Sequence, residues 1–134
     1  MTTYANFVTN LGDLTITGVT RKLDEPAVSL ATADLPAQWV QFPTGNEGPL
    51  TFQAHGGWPT FNAQLVVAYE AVGQNTQAAN FSGTVTMLDN VATALRGAVG
   101  TVVKGKLEWN MRVAEVLVGE ISYWAVITDV TGHG

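Results

Sequence analysis

The sequence predicts an α+β fold: a mostly antiparallel β-sheet flanked by two helices, with a long Pro/Gly-rich arm. Three observations carry this. Leu107–Val130 reads as a β-hairpin, Gln77–Gly97 reads as one long helix, and residues 24–60 hold all five prolines with no sustained period.

The hairpin, LEWNMRVAEVLVGEISYWAVITDV, turns at Gly119-Glu120. Glycine at the first central position suits a two-residue type II′ turn, and that turn fixes the register. Val118 then faces Ile121, Val116 faces Tyr123, and Trp109 faces Val130. Opposite residues share a face, so both faces can be read. One carries Leu107, Trp109, Met111, Val113, Leu117, Trp124, Val126 and Val130, interrupted by Glu115, Ser122 and Thr128, and is the expected core face. The other is apolar near the turn and polar near the open end, where Glu108, Asn110, Arg112 and Asp129 lie. Such an apolar half-face needs a second cover, from another element or another subunit.

Earlier in the chain, Tyr4, Phe7, Val8 and Leu11 sit at helical spacing, with Gly12 as a stop. This helix is too short to be stable without packing. Leu14–Leu23 has period-two character and predicts a strand, with Gly18 as a bulge. Residues 24–60 are too apolar to stay solvated, given Trp39, Val40, Phe42, Leu50, Phe52 and Trp58. They are expected to be an ordered excursion lying on a neighbour, with a short strand at Leu50–Gln53. Phe61–Val72 alternates and predicts a strand; Gly73–Thr76 is a turn. In the long helix, Phe81, Val85, Leu88, Ala92 and Leu95 form the expected apolar stripe. Gathering these strands into one sheet, with the helices on a face, gives a single-domain sandwich over residues 1–134.

Composition narrows the function classes. The chain is 46% hydrophobic and only 13% charged, which suits a subunit partly buried by neighbours. A net charge of −5 argues against a basic grip on phosphate backbones. With no cysteine there is no disulfide, thiolate metal site or cysteine nucleophile. No apolar run is long enough to span a membrane and no signal pattern opens the sequence, so a soluble intracellular product is expected.

Chemical motifs are sparse. His55-Gly56-Gly57-Trp58 is reminiscent of a hydrolase oxyanion loop, but no Gly-x-Ser-x-Gly elbow accompanies it. The two histidines, His55 and His133, are too few and too separated for a metal motif. No phosphate loop or dinucleotide fingerprint occurs. No enzymatic activity, cofactor, metal or catalytic residue is therefore expected. Trp39, Phe42 and Trp58 could line a sugar site in a small carbohydrate-binding module, but aromatic residues on a Pro/Gly-rich arm more often anchor a protein partner.

Three segments together carry a family resemblance: VTRKLDEPAVSLATADLPAQWVQFP, GGWPTFNAQLVVAYEAVGQNTQAANF and the hairpin with its YWAVITDVTG end. The chain resembles the small tail-terminator and neck proteins of long-tailed, siphovirus-type bacteriophages over roughly residues 15–132. The resemblance implies a structural virion protein that forms a homohexameric ring at the head-proximal end of the tail tube. Such a ring stops tube polymerisation and joins the tail to the head connector. Its implied partners are further copies of itself, the tail tube protein and the head-tail connector protein, with DNA passing through unbound. Its implied location is the virion neck, and the host cytoplasm during assembly. Another head-tail joining or tail-tube component of the same assembly is the alternative.

On this reading the subunit interface is expected at Trp39, Phe42, Trp58, Val116, Val118, Ile121 and Tyr123. The rim or pore is expected at Glu108, Arg112 and Asp129. The apolar half-face near the turn is covered either by the N-terminal helix, through Phe7 and Leu11, or by an adjacent subunit. The sequence favours the subunit because the helix is short.

Overall fold

The computed structural model describes residues 3–30, 32–46, 59–72, 77–103 and 105–133. In chain order the elements are α1 (Tyr4–Gly12), β1 (Arg21–Lys22), β2 (Ala37–Asn46), β3 (Thr60–Ala71), α2 (Gln77–Gly97), β4 (Leu107–Val118) and β5 (Ile121–His133). The five strands make one sheet in the order β1-β2-β3-β5-β4, and every pairing except the parallel β1–β2 contact is antiparallel. The α+β fold is as the sequence predicts.

β3 and β5 occupy the middle of the sheet because both of their faces are apolar. Along β3, Leu65 and Val67 point to one face and Val66 and Ala68 to the other, and all four are buried. β5 repeats this with Val126 and Val130 on one face and Tyr123 and Ala125 on the other. Each face therefore has its own core.

Both helices cover the first face. Phe7 and Leu11 of α1, and Met87, Val91 and Leu95 of α2, pack on Phe61, Leu65, Val67, Val126 and Val130. α1 starts at a Thr3 cap whose side chain accepts from Asn6 N at 3.1 Å. Its first turn is fixed by aromatic contacts: Phe61 stacks on Phe7 at 5.3 Å and meets Tyr4 edge-on at 4.8 Å. Gly45 on β2 makes room for the Tyr4 ring, since a Cβ there would lie 2.1 Å from it. The other end of α1 is closed by Gln38 of β2. Its buried Nε2 donates to Gly12 O at 2.8 Å and Leu14 O at 2.9 Å.

The second face is covered by the segment between β1 and β2, here called the strap. Leu23, Ala27, Leu30 and Leu35 from the strap pack on Trp39, Val66, Ala68, Val118, Tyr123 and Ala125. The Tyr123 hydroxyl donates to Leu30 O at 3.3 Å. Leu23 N donates to Gln38 O at 2.8 Å, which ties the start of the strap to β2.

Several expectations need correction. The arm over residues 24–60 is not an excursion seated on a neighbour where it is described: Ala37–Asn46 is a strand of the chain's own sheet, and the preceding residues fold onto it. Period two is hidden because Ala37–Val40 are buried on both faces and the one polar member, Gln38, caps a helix. Pro43 and Gly45 read as breakers but sit on a sheet edge, where proline is tolerated. The short strand expected at Leu50–Gln53 and the turn at Gly73–Thr76 lie outside the described residues. The strand expected at Leu14–Leu23 shrinks to Arg21–Lys22, because Gly18, at φ +91°, turns the chain after buried Ile16.

The helix at Gln77–Gly97 forms with the expected bounds, but its buried stripe is Thr84, Met87, Val91 and Leu95, with Ala92 beside it. Val85 is exposed, Leu88 is half-buried, and the Phe81 side chain lies outside the described residues. The helix is rotated by about one residue because Gly83 sits against the Tyr69 ring, where a Cβ would come within 2.4 Å of the hydroxyl.

Two substitutions test this packing. Leu95→Ala removes a fully buried side chain and is expected to lower stability by about 2–5 kcal/mol in urea unfolding. Thr128 is also fully buried on the helix face, and its hydroxyl has no hydrogen-bond partner among the described residues. Thr128→Val keeps the shape and removes the unpaired group, so it should raise stability by about 1–3 kcal/mol.

Candidate functional site

The candidate site is the β4–β5 hairpin and the surfaces it leaves uncovered. Its register matches the sequence expectation: Val118 pairs with Ile121, Val116 with Tyr123, and Trp109 with Val130. Gly119 has φ +64°, while Glu120 has no positive φ, as a type II′ turn requires. The strap reaches this turn, since a Cβ on Gly119 would lie 3.3 Å from Val28 O.

The expected interface residues separate into three groups. Trp39, Val118 and Tyr123 are buried inside their own chain beneath the strap, and Val116 packs half-buried beside them. Phe42 and Ile121 are exposed, at 70% and 51%. Trp58 lies outside the described residues. The apolar half-face is thus covered in part by its own chain, and not by the N-terminal helix. Phe7 and Leu11 are on the opposite face, and the cover is the strap. Leu117, expected in the core, is 67% exposed because it lies at the hairpin tip.

Two exposed apolar patches result. One wraps the hairpin tip with Leu117, Ile121 and Val28, the last 85% exposed. The other is at the open end of β2, where Phe42 is exposed and Tyr4, lying over Gly45, is partly exposed. Pairing places them at diagonal corners of the sheet, because Gly45 and Leu107 share a row through Phe61 and Gly132 while the tip closes the far end. Phe42 is held at φ +53° within a β-bulge between Gln41 and Thr44. The left-handed backbone at Phe42 was not visible in the sequence.

The open half of the strap-side face is polar. One row across four strands is Gln41, Gln64, Asp129 and Asn110; the next is Thr44, Asn62, Thr131 and Glu108. Gln41 Nε2 donates to Gln64 Oε1 at 2.9 Å, and Thr131 Oγ1 donates to Asn62 Oδ1 at 2.8 Å. Arg112 Nη1 donates to Asp129 Oδ2 at 2.7 Å across the diagonal. The three expected rim residues, Glu108, Arg112 and Asp129, therefore share this surface. Both carboxylates have basic neighbours, and all three side chains are about half exposed, so each pair adds little stability.

A cleft of about 470 Å³ lies between the C-terminal ends of α1 and α2, and among the described residues Asp13 is the titratable side chain that lines it. Among the described residues, no three His, Cys, Asp or Glu side chains converge on a point, and no helix is long and apolar enough to cross a membrane. His55 lies outside the described residues, and His133 ends β5.

The titration of Glu108 is shifted by its neighbours. The Lys106 ammonium, 2.6 Å from Oε1, holds its carboxyl below the ordinary glutamate range, and His133 on the other oxygen, at 3.5 Å, acts in the same direction. A depressed pKa favours the folded state above the ordinary value, and the benefit is lost as pH falls through the depressed one. In Lys106→Ala, an NMR titration should show the Glu108 carboxyl protonating at higher pH than in the parent.

No protein-family model matches this chain, and no curated protein is significantly similar to it.

Proposed function

We propose that the chain is a structural subunit of a phage tail: one of the identical copies, six on the family resemblance, of a ring at the head-proximal end of the tail tube. One observation supports this most. Two different exposed apolar patches, the hairpin tip and the Phe42–Tyr4 edge, lie at diagonal corners of one sheet. A contact between unlike patches is head-to-tail, and head-to-tail contacts build closed rings or open filaments. Ring closure at a tube end stops growth and offers a flat surface to a head connector, without any covalent chemistry.

In this reading the polar half-face with Glu108, Arg112 and Asp129 forms the rim or the lumen. Its charges are balanced by close partners and its remaining groups are neutral amides and hydroxyls, so it offers phosphate little attraction. DNA could pass such a wall without being held. A sugar-binding module is supported less well, because Trp39 is enclosed beneath the strap and donates to Gln41 at 3.1 Å. Stacking on a sugar needs an exposed ring face.

Ile121→Asp tests the proposal, since Ile121 is half exposed and its replacement leaves the core intact. Circular dichroism should be unchanged while the oligomer mass falls and rings disappear from negative-stain images. Phe42→Asp should do the same from the opposite corner. A parent protein that stays monomeric at ~100 μM, in the range where specific rings assemble, would overturn the ring.

A further inference from the structure

Among the described residues, no strand pairs with the outer edge of β4. β4 is twelve residues long, lies at the end of the strand order, and contains neither proline nor glycine. Its register with β5 is continuous from Leu107 to Val118, with no bulge. Open edges are usually blunted by proline, bulges or cover. The opposite edge shows all three: Pro43, the Gln41/Thr44 bulge, and β1 lying over Ala37 and Gln38. β4 shows none among the described residues.

The geometry fixes which groups point outward. A two-residue turn makes the flanking pair, Val118 and Ile121, a hydrogen-bonded one, and bonded pairs then alternate along the hairpin. Lys106 O accepts from His133 N at 2.8 Å, which confirms the same alternation at the far end. The even-numbered residues of β4 therefore bond inward to β5. Leu107, Trp109, Met111 and Val113 present their N–H and C=O groups outward.

We propose that β4 pairs antiparallel with β4 of a second copy, about a two-fold axis through Asn110. An axis normal to the sheet keeps the two faces in line, so odd residues must oppose odd ones, as the outward hydrogen bonds also require. Centred on Asn110, Trp109 opposes Met111 and Leu107 opposes Val113, each pair exchanging two hydrogen bonds. Glu108 then opposes Arg112 at non-bonded positions, where side chains come closest, and it does so twice by symmetry. Shifting the centre loses this match: a centre on Arg112 sets arginine against arginine, and one on Glu108 sets glutamate against glutamate. The half-buried Trp109, Met111 and Val113 gain cover on the helix face.

This two-fold contact goes beyond the ring reading and does not rest on it. The hairpin tip lies outside the paired span, so a head-to-tail contact through the tip remains available. In the ring reading, the β4 contact would join a subunit of one ring to a subunit of another.

The chain has no cysteine, which permits a direct test. Asn110→Cys places two thiols at a non-hydrogen-bonded pair, where the Cα separation of about 4.5 Å suits a disulfide. Mild oxidation of this variant should give a covalent dimer, whereas Glu115→Cys, whose copies are kept far apart, should not cross-link. In sedimentation equilibrium, Arg112→Glu and Glu108→Arg should each weaken the β4 contact by about tenfold or more, and the double exchange should restore it. Cross-linking of Asn110→Cys no faster than Glu115→Cys would overturn the contact, including in a protein that still forms rings. Failure of the double exchange to restore the contact would overturn the register. Rings lost in Ile121→Asp with the Asn110→Cys cross-link retained would separate the two interfaces.

Discussion

The pairing of β3 with β5 governs the rest of the molecule. Two strands that are apolar on both sides cannot face water on either, so the sheet needs two covers. A chain of this size has few elements to supply them. It uses both helices on one face and a stretch of irregular backbone on the other. That division explains why α1 can be so short: it rests on Phe61 and is closed by Gln38, which belongs to the sheet. It also explains why Trp39 is interior, although it follows a run of turn-forming residues.

The strap covers only half of its face, and this limit shapes the outer surface. Beyond it, side chains switch from apolar to amide, hydroxyl and charged types, paired along the rows of the sheet or, for Arg112 and Asp129, across a diagonal. At two corners of the sheet, apolar side chains remain exposed. The described residues thus offer apolar and polar surfaces for contact. The two long edges of the sheet differ in the same spirit, one broken by a bulge and proline, the other regular throughout.

Much of this was legible in the sequence where local rules govern. Gly119 dictated its turn, the turn dictated the register, and the register separated the two faces of the hairpin. The long helix kept its bounds because its apolar residues recur at helical spacing. Its rotation was not legible, because it depends on Gly83 meeting Tyr69, a contact between distant parts of the chain. β2 was missed for a related reason: its polar Gln38 is a buried cap, and its proline and glycine answer to an edge and to Tyr4. The strap was not among the covers expected for Val118 and Tyr123, because residues 24–35 show no period and their apolar members look like loop residues. Of the candidate interface, Ile121 and Phe42 remain at the surface, while Trp39, Val118 and Tyr123 are spent inside.

The position of β5 in the chain has a consequence for how the protein comes to be folded. β3 finds its central partner only across α2 and β4, as the pairing of Thr60 with His133 shows. The β4–β5 hairpin, by contrast, closes locally over a two-residue turn. Non-local pairing is slow because loop entropy must be spent before contacts reward it. During synthesis β3 therefore waits beside β2 with its other edge unmatched until the last strand appears. Helix α2, already available by then, can shield the apolar side of β3 in the interval. The chain order thus places a helix, not a strand, next to the most adhesive element at the moment when it is least protected.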